Sequence, residues 1–392
     1  MKTTIIALVD CDSFFVSCEQ SVDESLRGKP VCVTSSEKGC ILARSKEAKK
    51  MGIKMGMPYF MAKKEYPNGI YVFGNMELYS QKSKDVMRIL RDFSPTVQVY
   101  SIDEAFVELS GLKKLYKKNY YGIAKLIRDE IKLQLGIDVS VGVSSSKVLA
   151  KLACEKAKGN EGIYLIGKRK ILKELKSTKI EEIWGIGQKT AQLLNRWGIL
   201  CCDDLVNKSD EWLKVKVGKR GVELKHELSG ECLDNVTTKR KLPKSIQNTR
   251  TFSKNTNDIN YIKNALNMHI HTSCTRLRYL KGKCQTLSLM LKTNEFVVYW
   301  KKKNLENLTN FELDISKEIM TMLEKIYSTD LVYRSCGVTL ENINYSEQDQ
   351  LSLFPAKLRV KNYEKLAQSI DKLERRFGRN IVKTGFIKTF DD

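Results

Sequence analysis

The chain has 392 residues, 42% hydrophobic and 29% charged, and its 68 Lys and Arg against 46 Asp and Glu give a net charge of +22. That balance suits a soluble protein of two to four domains and excludes collagen-like, mucin-like and wholly disordered chains. The cationic excess favours a polyanionic partner, and with no apolar run near the ~18 residues of a membrane span the expectation is nucleic acid rather than a membrane surface.

Residues 4–9 form a continuous apolar run that ends in Asp10, as a buried strand would. Residues 16–75 are rich in Gly, Pro and short elements and suggest a small inserted module. Helical spacing resumes at 76–93 through Leu78, Val86, Ile89, Leu90 and Phe93, and Pro95 ends it. Two strand-like stretches, 97–101 and 105–109, flank Ile102-Asp103-Glu104 as a hairpin. Ile123, Leu126, Ile127, Ile131 and Leu135 give a second amphipathic helix closed by Gly136. A strand at 138–143 and a helix at 147–158 follow. The order strand, helix, strand, strand, helix, strand is the split βαβ, ferredoxin-like unit, interrupted after its first strand, so residues 1–15 and 76–166 form one catalytic domain around a module at 16–75.

Beyond it, residues 167–235 read as short helices with Gly-rich turns and 236–244 as a basic linker. Residues 245–342 read as an α+β unit, with helices at 259–280 and 316–326 and strands at 286–291 and 335–340. The remainder, 343–392, reads as a polar tail. The fold class is therefore α/β in the broad sense. Eleven cysteines, an odd number with no C-x-x-C pair, and only three histidines (His226, His269, His271) point to reduced thiols in a cytoplasmic protein rather than to zinc.

In a ferredoxin-like sheet the first and third strands are neighbours, so Asp10 meets Asp103 and Glu104 at one sheet edge. Hard divalent cations such as Mg²⁺ bind through a few carboxylates plus substrate phosphates, and two such ions clamp the attacking and leaving oxygens of phosphoryl transfer. Asp10, Asp103 and Glu104 are thus the candidate catalytic and metal-binding groups. Ile183-Trp-Gly-Ile-Gly187, followed by Gln-Lys-Thr-Ala, is a helix-hairpin-helix signature, in which glycines admit a phosphate to a helix N-terminus. It makes Gly185, Gly187 and Lys189 candidate DNA contacts. Val217-Gly-Lys-Arg-Gly221 is a weaker second copy, adding Lys219 and Arg220. Between 236 and 303 there are fifteen Lys and Arg against two acidic residues, a surface suited to a nucleic-acid backbone.

Val9-Asp-Cys-Asp-Ser-Phe-Phe15 resembles the first metal-ligand motif of the Y-family translesion DNA polymerases, and Tyr100-Ser-Ile-Asp-Glu-Ala-Phe106 their second. Gly39-Cys-Ile-Leu-Ala-Arg44, with Glu47-Ala-Lys49 and Lys54-Met-Gly56, is similar to the UmuC branch. The resemblance implies a right-hand polymerase with a palm, small fingers, a helical thumb and a little finger, acting by low-fidelity, template-directed nucleotidyl transfer from a dNTP in the DNA-damage (SOS) response. It further implies two Mg²⁺ ions held by Asp10, Asp103, Glu104 and the Cys11 carbonyl, and Phe15 as a steric gate under the sugar. Arg44, Lys49 and Lys158 would bind the dNTP. Gln350-Leu-Ser-Leu-Phe354 resembles the pentapeptide with which bacterial polymerases bind the sliding clamp, through Gln350, Leu351, Leu353 and Phe354. A UmuD-like activating subunit is a further partner of that branch. Two rivals are a nucleotidyl cyclase on the same split βαβ unit, against which the hairpin and the basic segment argue, and a DNA-binding accessory protein with a degenerate palm, against which the intact carboxylates argue.

Overall fold

The computed structural model describes residues 4–239, 241–345 and 359–378. The chain divides into two compact units that meet between Arg240 and Lys241.

In the first unit, β1 (Ile6–Cys11) leads into α1 (Phe14–Val22). A three-stranded module follows, built from β2 (Val31–Thr34), β3 (Ile41–Arg44) and β4 (Ile70–Phe73) in the order β3-β2-β4. Its helices are short: α2 (Lys46–Lys50) and α3 (Tyr59–Glu65). A small core of Cys32, Ile41, Ala48, Ile53 and Ala62 holds the module together. The main sheet is completed by β5 (Val97–Val99), β6 (Glu104–Glu108), β7 (Val139–Ser144) and β8 (Ile163–Leu165), in the order β5-β6-β1-β7-β8. Its first four members reproduce the ferredoxin-like order expected above. The three-residue β8, too short to show a period, extends the sheet by parallel pairing with β7.

Helices α4 (Met76–Phe93) and α6 (Tyr120–Leu135) cover one face of this sheet, with α5 (Leu112–Tyr116) between them in sequence. Asn75 caps α4 by accepting from the Leu78 N–H, and Tyr79, Val86, Ile89 and Leu90 turn inward. The spacing of those residues is the helical stripe that buries against a sheet. All six residues of β1 are buried, as a central strand covered on both faces requires.

Helix α7 (Lys147–Ala157) covers the other face. It lies unusually close to β7, because a Cβ on Gly142 would fall 2.0 Å from the Cys154 nitrogen and 2.3 Å from the Ala150 carbonyl oxygen. Only glycine admits that approach, which fixes the height of the lysines on α7 over the sheet. The far side of α7, with Val148, Leu149 and Leu152, joins the core of five short helices, α8 (Ile171–Ser177), α9 (Gln188–Arg196), α10 (Cys202–Val206), α11 (Asp210–Lys216) and α12 (Lys219–Leu228).

The second unit contains β9 (Ser245–Thr256), α13 (Ile259–Tyr279), β10 (Lys283–Thr293), β11 (Val298–Thr309), α14 (Glu312–Glu324) and β12 (Tyr333–Asn344). Its antiparallel sheet runs β11-β10-β12-β9. Leu287, Leu289, Leu291, Val338, Leu340 and Ile246 face α13 and α14 in one core. The sequence shows neither outer strand, since β9 turns only Ile246 and Phe252 inward and β11 is mostly exposed.

Where the sequence suggests a polar tail with a clamp-binding motif, the structure forms α15 (Arg359–Phe377), attached to α13 by ion pairs. Arg278 grips Asp371 with two bonds of 2.7 and 2.8 Å, and His271 lies between Glu312 (2.9 Å) and Glu374 (3.0 Å). Asp371 and Glu374 are thus buried and paired beside Ala367 on the inward side of α15. Gln350, Leu351, Leu353 and Phe354 lie outside the described residues.

Candidate active site

The site grows from strand register. Asp10 and Glu104 are direct partners on β1 and β6. Asp103 sits in the preceding turn, where its carbonyl accepts the Cys11 N–H at 2.9 Å and its carboxylate accepts the Ser101 hydroxyl. Asp10, Cys11, Asp103, Glu104, Phe15, Arg44, Lys49 and Lys158 all line one cavity of about 660 Å³. Residues 93 positions apart in sequence therefore meet as the topology requires.

Two ammonium groups of α7 reach this pair from above. Lys151 bonds Glu104 and lies 3.6 Å from Asp10, and Lys158, at the end of the helix, lies 3.2 Å from Asp10. Burial pushes the Asp10 carboxyl up to about 7, and Glu104 adds to that while Lys158 and Lys151 oppose it. Burial works against the charge on Lys151, but Glu104 and Asp10 outweigh it and raise its pKa. Lys158 is raised in the same way, by Asp10 and Glu155 against its own burial. Burial holds the Cys11 thiol well above its ordinary pKa, with the surrounding carboxylates adding to the effect. Cys11 therefore offers no thiolate at neutral pH, and only its main chain could serve a hard cation.

Among the described residues no group of three or more His, Cys, Asp or Glu forms a metal cage by itself. The donor set nevertheless fits Mg²⁺, which binds through one or two carboxylates, water and substrate phosphates instead of a protein cage. Three carboxylates on an open cavity supply hard oxygen donors and leave room for a polyphosphate.

Phe15 lies just beyond β1, on α1. Its ring stacks on Tyr79 at 4.4 Å and 15°. Tyr79 is fully buried and its hydroxyl donates to Glu19, so the surface behind Phe15 is rigid. Arg44 donates to the Ile53 carbonyl within the three-stranded module, which anchors its guanidinium at the cavity wall.

The hairpin residues lie away from this cavity. Gly185 has φ +99° and Gly187 precedes α9; Gly218 has φ +87° and precedes α12. Neither helix has a side-chain cap, so both N-termini keep backbone donors for an anion. A Cβ on Gly185 would lie 3.6 Å from the Arg220 guanidinium, so the two hairpins are neighbours. Lys219 and Arg220 also reach Glu223, at 3.7 and 3.3 Å, and Lys189 stands exposed in the first turn of α9.

In the second unit, the sheet face opposite α13 and α14 mixes polar, charged and apolar side chains. Strand register aligns Trp300, Met290, Gly337 and Thr249 in one row and Lys302, Ser288, Thr339 and Gln247 in the next.

Sequence reasoning did not single out Lys151, Ser101, Tyr79, Trp184 or Lys147. Lys151 was legible in principle, since it lies seven residues before Lys158 and so shares a helix face with it. Tyr79, Trp184 and Lys147 act through partners distant in sequence, which no local pattern reveals.

A ferredoxin-like sheet that brings carboxylates, an aromatic ring and cationic side chains to one cavity suits a nucleotidyl-transferring polymerase, and the chain belongs to the Y family of DNA polymerases. Residues 9–155 match the impB/mucB/samB family and residues 243–353 its C-terminal domain. The chain is 31% identical to DNA polymerase IV of Clostridium kluyveri, over 97% of each protein. It is 29% identical to protein ImpB of Salmonella typhimurium, over 94% of this chain and 90% of that one. Among solved structures it resembles a Dbh–Dpo4 Y-family DNA polymerase chimera with a TM-score of 0.73 and 26% identity, over 87% of this chain and all of the other. An insertion ternary complex of Dbh DNA polymerase matches with a TM-score of 0.59, also at 26% identity, over 87% of this chain and all of that one.

Proposed function

We propose that the protein extends a primer on damaged templates, by nucleotidyl transfer from a dNTP to the primer 3′-hydroxyl at Asp10, Asp103 and Glu104. The observation that carries this reading is the pairing of Asp10 with Glu104 across β1 and β6, beside Asp103, on the cavity that also holds Phe15, Arg44, Lys49 and Lys158. Two Mg²⁺ ions at the carboxylates and the Cys11 carbonyl would activate the 3′-hydroxyl and neutralise the leaving pyrophosphate. The chain's own residues do the rest. Lys49, Lys158 and Arg44 draw the triphosphate to the carboxylate edge. Phe15, backed by Tyr79, sets the height of the sugar and leaves no space for a 2′-oxygen. The paired hairpins and the Lys- and Arg-rich segment 236–303 hold the duplex by its backbone without reading sequence.

Low fidelity follows from the three-stranded module, whose helices α2 and α3 span five and seven residues. Neither is long enough to swing down on a nascent base pair, so selection by closure is weak. Work in the SOS response, affiliation with the UmuC branch, a UmuD-like activating subunit, a cytoplasmic location and docking of residues 350–354 on the sliding clamp complete the proposal. The Gly39–Arg44 motif and the ImpB relative support the branch, while the DNA polymerase IV relatives support the polymerase. No described helix is long and apolar enough to cross a membrane. Primer extension with Mg²⁺ and dNTPs, on intact and lesion-bearing templates, tests the reading. Failure to extend an intact template would refute it, and cyclisation of a nucleotide without DNA would favour the cyclase.

A further inference from the structure

The hairpin that offers backbone donors to DNA and the hairpin that carries the metal ligands touch through one side chain. Trp184 directly precedes Gly185. Its indole packs edge-on against Tyr100 (5.4 Å, 89°) and tilted against Phe106 (5.9 Å, 40°), and its Nε1–H donates to the Tyr100 hydroxyl at 3.1 Å. Tyr100 and Phe106 bracket Asp103 and Glu104. The Tyr100 N–H donates to the Glu104 carbonyl at 3.0 Å and the Ser101 N–H to the same oxygen at 3.1 Å, so the turn is closed on Glu104 itself. Phe106 is buried two residues further along the same strand. A displacement of Trp184 therefore moves both ends of the metal-ligand turn. On its other side, Trp184 is one residue from a glycine at φ +99° and three from the N-cap of α9.

We propose that Trp184 is a positioning residue that couples DNA binding at the helix-hairpin-helix to the placement of Asp103 and Glu104, so that bound primer–template raises the affinity of the carboxylates for divalent metal. The inference rests on the polymerase reading above. A backbone phosphate seated on the Gly185–Gly187 turn fixes that turn, the indole fixes Tyr100 and Phe106, and the carboxylates are then held in one arrangement. Linkage requires reciprocity, so metal raises DNA affinity by the same factor. A tryptophan that merely fills a core would stabilise the fold without linking the two affinities.

The test measures Mn²⁺ binding by the electron paramagnetic resonance of the free ion, using the full chain with and without a primer–template whose primer ends in a dideoxynucleotide, and no nucleotide. DNA affinity is measured by fluorescence anisotropy with and without Mn²⁺. The expected coupling in the parent protein is about 5- to 150-fold in both directions. Trp184→Ala should cut it at least threefold while metal-free DNA affinity stays within about threefold of the parent. Tyr100→Phe, which keeps the ring and loses only the indole–hydroxyl bond, and Trp184→Phe, which keeps a smaller ring and loses that bond, should give intermediate factors and carry the test if the alanine variant melts below the assay temperature. Full parental coupling in Trp184→Ala, or in both conservative variants, overturns the proposal, as does a parent protein without coupling. Mn²⁺ binding that is indifferent to Asp103→Asn would instead reject the metal-site reading, and this inference with it.

Discussion

Phe15→Ala is the sharpest test of how the cavity selects its sugar. The ring cannot retreat, because it stacks at 4.4 Å on Tyr79, which is fully buried and tied to Glu19. Forcing an extra atom into packed space costs ~1–3 kcal/mol. At ~1.36 kcal/mol per tenfold in rate, this corresponds to about 5- to 150-fold discrimination against a ribonucleotide. Removing the ring abolishes the wall, so the ribo-to-deoxy ratio of kcat/KM should rise by that factor. The lost stacking is worth only ~0.5–1.5 kcal/mol beyond area burial, and Phe15 is only half-buried, so the variant should fold. The assay is single-nucleotide insertion of rCTP and dCTP at one primer terminus, with dCTP efficiency as the internal control. A ratio within about twofold of the parent, with dCTP insertion intact, would refute Phe15 as the gate.

Asp103→Asn and Glu104→Gln should each abolish extension while primer–template affinity stays near the parent value; retention of more than a few per cent of activity by either would sink the metal-ligand assignment. Lys147, 1% exposed, bonds Gln98 (2.8 Å), the Asn235 carbonyl (3.0 Å) and Asp234 (2.8 Å). Hydrogen bonds to a charged group contribute ~1.5–3 kcal/mol, discounted here because Asp234 is exposed, so Lys147→Met should lower the Tm of the first unit by ~4–10 °C; a shift under 2 °C would count against it. The hydrogen bond that His271 donates to the Glu312 carboxylate chiefly raises its pKa, with Glu374 adding to it against burial, so its contribution to holding α15 is complete below the unfolded value of ~6.5 and fades as pH climbs through the raised folded value. Amide exchange in 359–377 should therefore quicken, relative to intrinsic rates, as pH rises from ~6.5 through the raised folded value, and His271→Gln should remove that extra pH dependence. Leu353 and Phe354 changed together to Ala should abolish sliding-clamp binding in a pull-down and leave clamp-free extension and Tm near the parent; joint loss of basal activity and several degrees of Tm would mark them as core.

The parts of this molecule that were legible in its sequence are those in which local pattern and chemistry coincide. Continuous burial marks β1, turn chemistry marks the Asp103–Glu104 hairpin, and ferredoxin-like order then places Asp10 beside Glu104 without further information. Glycines at 185 and 218 announce the turns before α9 and α12 because a positive φ there leaves few alternatives. The hidden parts have partners that periodicity does not encode. Strands β9 and β11 are outer strands with little inward apolar content, and lysines dominate the middle of β11, so its charge outweighs its pattern. Helix α15 turns Asp371 and Glu374 inward to Arg278 and His271, pairings that no local pattern announces. Lys151 and Trp184 owe their places to Gly142 and to the Tyr100–Phe106 pair, neither of which has a sequence signature linked to them.

The register of β1 against β6 has a consequence for heat and for mutation. Asp10 and Glu104 face each other because of the hydrogen-bond ladder from Ile6–Glu108 to Asp10–Glu104, and a slip of one residue would send every side chain of a strand to the opposite face. The pairing of Asp10 with Glu104 is therefore an all-or-none property of the sheet, whereas Asp103 sits in the turn outside that ladder. Warming, or accumulating unfavourable surface substitutions, should reduce the number of working molecules while each survivor keeps its full turnover. Loss of the Asp10–Glu104 pairing should then trace the cooperative melting curve of the first unit.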